Sequence, residues 1–246
     1  MERRGNMKKI FVLNGSRRKE GNTASFIRKI TGNLDKATFA VEYAYPQDYN
    51  IKFCDGDHNC FIDVEHDSGD DLEKLQNKIL ESDVFIVGSP VYVHSMTSDL
   101  KLFIERSAWW AHTLRLGGKP VVVISTCGSN GLKTVTEPLS EIMTFMGGNV
   151  IANANAVEVL NHFNNEIWLK EVTDTIVERI KKFAQLPPMS NKFLEGVFNG
   201  SKLNILEQLE VQKEMGVDLG ELAYWQKTGM INFDTFEDYL TTLHRK

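Results

Sequence analysis

Three apolar runs of strand length limit what this chain can fold into. Residues 8–14 (KKIFVLN), 83–88 (DVFIVG) and 119–126 (KPVVVIST) are rich in aliphatic and aromatic residues, and small or polar residues follow each one. A strand with one wet face alternates apolar and polar residues, so a strand apolar at nearly every position must be covered on both faces. Residues 39–45, stopped by Pro46, and residues 150–159 read as two further strands. Between the strands the apolar spacing becomes helical. Phe26, Ile27, Ile30 and Leu34 mark a helix over residues 22–34, with Asn22 or Thr23 as its N-cap. Further helices are expected over residues 70–81, 97–116 and 132–146, and a last one along Leu169, Val172, Ile176, Ile180 and Phe183. Strand and helix in strict alternation predict an α/β fold: a parallel sheet of five strands with helices on both faces.

That unit ends near residue 186, where Leu186-Pro187-Pro188 breaks the pattern. The 246 residues therefore divide into a sheet domain over 1–186 and a mostly helical extension over 187–246. The extension holds Phe193, Phe198, Tyr224, Trp225, Phe233, Phe236 and Tyr239, too many aromatics for a disordered tail. It is expected to pack either on its own core or on a second subunit. A formal charge of −5 argues against nucleic acid as a partner. Charge is unevenly placed, with seven Lys or Arg among residues 1–20 and ten Asp or Glu among residues 54–83. A basic front of this kind suits a small anionic ligand. No apolar run approaches the ~20 residues of a membrane span, and the first residues lack the apolar segment of a secretory leader. With three cysteines, an odd number for pairing, the expected setting is reducing and cytoplasmic.

In an open parallel sheet, ligands sit beyond the C-terminal ends of the strands. Three segments occupy that edge. Residues 14–23 (NGSRRKEGNT) combine Gly15 and Gly21 with two hydroxyls, two guanidinium groups and the start of a helix. Free N–H groups and the positive end of the helix dipole make this a phosphate cradle without a metal. It is neither a P-loop nor a dinucleotide fingerprint, because both glycine spacings are missing. Residues 88–96 (GSPVYVHSM) follow the third strand, and Val91, Tyr92 and Val93 could present a wall to a flat aromatic ligand. Residues 126–131 (TCGSNG) could line that ligand's polar edge through the main chain.

These residues carry a family resemblance. Gly15-Ser16-x-Arg18-x-x-Gly21-Asn22-Thr23 closely resembles the phosphate loop of the flavodoxin-like NAD(P)H-dependent FMN reductases. Ser89-Pro-Val-Tyr, continued by Ser95-Met-x-x-x-Leu-Lys-x-Phe-Ile-Glu-Arg106, resembles that family's second signature. The resemblance spans residues 7–185 and implies a doubly wound sheet in strand order 2-1-3-4-5. It implies bound FMN, with Ser16, Arg18, Asn22, Thr23 and Ala24 at its phosphate. Pro90, Val91, Tyr92, Val93 and His94 would flank the isoalloxazine, and Thr126, Cys127 and Gly128 would meet its pyrimidine side. NADPH or NADH would be the reductant, and a quinone, nitroaromatic or flavin the small oxidised acceptor. The family resemblance also implies a homodimer, with Trp109, Trp110 and His112 as candidates for its surface. Arg17 stands where the family often has Pro, and Val93-His94 replaces a common Trp-Gly pair.

Cys54-Asp-Gly-Asp-His-Asn-Cys60 resembles the Cys-x-x-Cys-x-x-Cys loop of related iron–sulfur flavoproteins, with Asp57 at the middle position and no fourth cysteine nearby. Four thiolates normally hold such a cluster, so none is expected. A zinc site through Cys54, Asp57, His58 and Cys60 would be cramped, which leaves reduced thiols or a Cys54/Cys60 redox pair. Nucleophile-elbow and zincin motifs are missing. The expected function is therefore an FMN-dependent NAD(P)H oxidoreductase working by ping-pong hydride transfer, with Tyr92 and His94 as the candidate catalytic side chains. A flavodoxin-like electron carrier and a thiol or flavin redox sensor are the alternatives.

Overall fold

The computed structural model describes residues 7–56, 59–62, 64, 69–216 and 219–243, without the side chains of residues 59 and 60. Asp57 and His58 lie outside the described residues, as does the side chain of Cys60. Strands β1 (Lys8–Asn14), β2 (Phe39–Ala44), β3 (Val84–Pro90), β4 (Pro120–Cys127) and β5 (Asn149–Val157) form one sheet. Its order is β2-β1-β3-β4-β5 and every pairing is parallel.

Alternation along the central strands explains their unbroken apolar character. Ile10, Val12, Ile86, Val122 and Ile124 face one side, packing with helices α1 (Asn22–Gly32) and α7 (Glu166–Ala184). Phe11, Leu13, Phe85, Val87, Val121 and Val123 face the other. There they meet α3 (Leu72–Leu80), α4 (Ser98–Arg106), α5 (Trp109–Thr113) and α6 (Thr136–Phe145); a one-turn helix, α2 (Asn59–Ile62), lies before α3.

The single helix expected over residues 97–116 is two. Ser107 separates α4 from α5; its N–H is shared between the Phe103 and Ile104 carbonyls, and its buried hydroxyl accepts from Gln76 Nε2 at 2.9 Å. The next helix starts at Thr136 rather than residue 132. Helices α8 (Lys192–Met215), α9 (Gly220–Thr228) and α10 (Phe236–Leu243) lie on the second face of the sheet. Phe198 stacks on Trp225 (5.3 Å between centroids) and on Phe236 (5.7 Å). Trp109 and Trp110, which the sequence offered to a subunit surface, are buried in this cluster, and Tyr224 of α9 meets Trp109 edge-on.

Candidate functional site

β1 delivers the chain to a turn that only glycine can make. A Cβ on Gly15 would stand 2.8 Å from Thr97 Oγ1 and 2.9 Å from Leu100 Cβ, at the start of α4. Thr97 instead donates its hydroxyl to the Gly15 carbonyl at 2.8 Å, which ties α4 to the loop. Asn14 Oδ1 accepts from Ser16 N (3.0 Å), and Ser16 Oγ accepts from Arg18 N (3.2 Å), so the side chains brace the loop from within. Helix α1 then begins after an extended Gly21. It has no side-chain cap and no acid in its first turn, and Ser25 N makes the first bond, to Gly21 O. The N–H groups of Asn22, Thr23 and Ala24 are thus left at a helix end with a positive dipole. The sequence pointed to Asn22 or Thr23 as the cap; Gly21 holds that place.

The two arginines have different employment. Arg17 forks onto Asp99 of α4 with two bonds of 2.7 Å. Arg18 folds over Gly21, its Nε 3.7 Å from where a Cβ there would lie, and is exposed at the mouth of α1. Gln47, after β2, donates from Nε2 to the Ser16 carbonyl (3.3 Å), while its Oε1 is buried without a hydrogen-bond partner. Neither Gln47 nor Asp99 was singled out from sequence.

After β3, Val91 N donates to Thr126 O at 2.8 Å, and Tyr92 and Ser95 exchange two backbone bonds of 2.9 Å each. The two residues between them, Val93 (φ +50°) and His94 (φ +58°), are both left-handed. This is the backbone of a type I′ turn, which normally takes Gly or Asn. Tyr92 is half-exposed and Val93 is 97% exposed.

β4 closes the site. Thr126 Oγ1 and Thr23 Oγ1 lie 2.7 Å apart, joining the third segment to the first. Cys127 is buried, and its Sγ donates to Asn155 Oδ1 at 3.5 Å; burial pushes the thiol up, opposed by that bond, so it stays protonated at neutral pH. The carbonyls of Cys127 and Gly128 accept from Glu158 N (3.0 Å) and Val159 N (2.9 Å). At Gly131 (φ +82°) a Cβ would meet Val91 Cγ1 at 2.7 Å and lie 3.6 Å from His94 Nδ1, so the second and third segments touch.

The structure therefore brings Ser16, Arg18, Asn22, Thr23 and Ala24 together, joins them to Thr126, and sets Pro90, Val91 and His94 beside the Thr126–Gly131 stretch. Cys54 is exposed in the segment after β2, and no hydrogen bond joins it to these loops. Groups of three or more metal-ligating side chains are not found among the described residues.

Comparison with known proteins gives the arrangement its context. Residues 8–160 match the family described as NADPH-dependent FMN reductase. An iron-sulfur flavoprotein of Archaeoglobus fulgidus is 34% identical over 113 residues, covering 46% of this chain and about half (51%) of that relative. An iron-sulfur flavoprotein of Clostridioides difficile is 25% identical over 232 residues, covering 90% of this chain and 99% of the relative. Among solved structures, an NADH:FMN oxidoreductase (EMOB, apo form) superposes with a TM-score of 0.54 at 18% identity, over 74% of this chain and 92% of that one, a likeness of fold. With a five-stranded parallel sheet in this order and the family match over more than half its length, the chain belongs to the NADPH-dependent FMN reductase family of oxidoreductases.

Proposed function

We propose that the C-terminal edge of the sheet binds FMN and that the protein passes hydride from NADPH or NADH to a small oxidised acceptor. The observation that carries this reading is the uncapped start of α1, with the Ser16 hydroxyl and Arg18 beside it and no acid in its first turn. A phosphate there gains the three free N–H groups, one guanidinium and the helix dipole, and displaces no partner. Gln47 Oε1, a buried acceptor without a donor, suits a hydroxyl of the ribityl chain. Tyr92, Val93 and His94 provide one wall of the ring site. Along the Cys127–Gly128 stretch both carbonyls are already bonded and the Cys127 N–H belongs to the β4–β5 ladder, so this segment offers the Gly128 N–H to an electron-rich ring edge. Bound FMN supplies two-electron chemistry, taking hydride from a reduced nicotinamide and giving it to a second substrate. The exposed mouth formed by Tyr92, Val93 and the Ser129–Asn130 turn admits the two substrates in turn, the geometry a ping-pong sequence needs.

Flavin fluorescence quenching tests the reading. Wild-type protein is expected to bind FMN, and anaerobic NADPH or NADH to bleach the bound flavin within seconds. Arg18→Ala is expected to weaken FMN binding about tenfold to a hundredfold, the scale of a lost charge-assisted hydrogen bond. Arg17→Ala should leave it within about threefold, because Arg17 is committed to Asp99. Failure of the wild type to bind FMN would overturn the reading. Bound flavin that neither nucleotide bleaches would mark an electron carrier instead.

A further inference from the structure

Outside the three loops, a cavity of about 640 Å³ opens on the second face of the sheet, between α4–α5, α6 and α8. None of its lining residues lies on those loops. Its floor is apolar, set by Ile104, Ile142, Met146 and Val197. Small-molecule pockets have this volume and this lining, with a few polar groups to orient the ligand.

Such groups are present. Lys101 and Glu105 of α4 border the cavity but hold each other at 2.5 Å, so their charges cancel. His112 remains. Its Nδ1 donates to Glu221, its ring stacks on Phe61 at 5.4 Å, and its carbonyl accepts from Trp225 Nε1 at 2.9 Å. The imidazole is therefore fixed in place, and among the described residues no hydrogen bond falls on its Nε2. Glu221 is buried and does not line the cavity. Its bond raises the His112 ring above its ordinary value, with burial working against it, and so favours a charged Nε2–H.

The α8 wall is bare. Gly196 and Gly200 stand one turn apart inside that helix, where glycine is the poorest helix former after proline. A Cβ on either would meet nothing within 4 Å, so no close packing within the chain demands them. Their missing side chains are accounted for by a molecule lying against the helix.

We propose that this cavity binds a small monocarboxylate with an apolar body, its carboxylate on His112 Nε2 and its body against α6 and α8. One uncancelled cation in an otherwise apolar lining matches one anionic group on an otherwise apolar molecule. The site is separate from the FMN reading and stands whether or not that reading holds. Octanoate is the probe, measured by equilibrium dialysis against the full-length protein as purified. The wild type is expected to bind it about tenfold or more tightly than 1-octanol, which has the same chain and no charge. His112→Asn keeps an amide donor toward Glu221 and removes Nε2; it should weaken octanoate about tenfold and leave 1-octanol within about threefold. Gly200→Phe fills the cavity from α8 and should weaken both about tenfold or more. In both variants FMN fluorescence quenching should stay within about twofold of the wild type, because neither residue borders the three loops.

Octanoate binding that is absent from the wild type, or unchanged in both variants, would overturn the proposal. So would 1-octanol binding as tightly as octanoate, which would leave an apolar hole that does not recognise a carboxylate. If a second copy of the chain fills the cavity instead, Gly200→Phe shifts the monomer–dimer balance in sedimentation while octanoate leaves it unmoved, and the proposal falls. Gly200→Phe and the octanoate-to-octanol ratio decide the matter even if His112→Asn fails to fold. Failure of the FMN reading is seen separately, as a wild type that binds octanoate and does not quench FMN fluorescence.

Discussion

Gly15 and Lys119 sit at opposite ends of the sheet, and each is constrained by its immediate neighbours. Gly15→Ala would drive a methyl to 2.8 Å from the Thr97 hydroxyl and 2.9 Å from Leu100, so α4 must back away from the phosphate loop. The expected cost is about 1–3 kcal/mol in a urea titration, together with weaker FMN binding. Lys119, just before β4, donates to the Leu80 and Ser82 carbonyls, closing the end of α3. Burial lowers its ammonium to about 8, with nearby Asp83 pulling the other way. Because the folded value lies below that of the unfolded chain, the unfolded state binds more protons between about pH 8 and 10.5. Stability carried by this group therefore rises across that window, and Lys119→Met should flatten the rise in melting midpoint from pH 8 to 10. At this scale the sequence disclosed which polar side chains share the candidate loop and not their neighbours. Ser16, Arg18 and Thr23 share one short loop and could be read directly. Gln47 and Asp99 reach that loop from 31 and 82 residues away, and nothing in local spacing signals such contacts.

The elements were legible wherever burial on two faces leaves only one pattern that works. The strand order was legible through the family resemblance rather than through burial, and the edge strands β2 and β5 are partly exposed; strands β1, β3 and β4 fall in this class. The break between α4 and α5 does not, because the apolar spacing runs on through it while one buried bond, Gln76 to Ser107, turns the chain. Starts of helices depend on a single side chain. Asn191 caps α8, its Oδ1 accepting from Phe193 N (2.9 Å) and Leu194 N (3.1 Å) while its Nδ2 donates to Asn149 Oδ1 (3.0 Å). Asn191→Ala should cost about 0.5–2 kcal/mol, seen as a lower urea midpoint at unchanged slope. At α1 the corresponding position is Gly21, which supplies no side-chain acceptor. That helix start has no side-chain cap and leaves its first N–H groups unbonded, a contrast between two helix starts in one chain.

At the scale of the whole molecule, the three C-terminal helices cover the face that holds Phe103, Trp109 and Trp110. The aromatic-rich composition signalled that they must pack but not on what, since interchain and intrachain burial use the same residues. Several polar contacts couple them to the core, and two of them meet at His112. Glu221 of α9, buried, bonds the His112 ring at the end of α5, and its other oxygen accepts from Gln208 Nε2 at 2.9 Å. Trp225 Nε1 donates to the His112 carbonyl at 2.9 Å, and Phe61 stacks on the His112 ring at 5.4 Å. The bond to Glu221 raises His112 above its ordinary value, with burial working against it. A histidine raised on folding contributes stability that is complete below the unfolded value of about 6.5 and is lost as pH climbs through the folded value. The attachment of α9 should therefore be firmest in mild acid. Removing the carboxylate with Glu221→Gln is expected to lower the melting midpoint most near pH 6, and the gap to the wild type should narrow toward pH 9. Lys119 acts in the opposite sense above pH 8, so the comparison is made at each pH between the variant and its parent, which share that lysine. An NMR titration of His112 in the parent should give a midpoint above 6.5 that falls in Glu221→Gln. A gap independent of pH would mean that Glu221 holds α9 through Gln208 and packing alone.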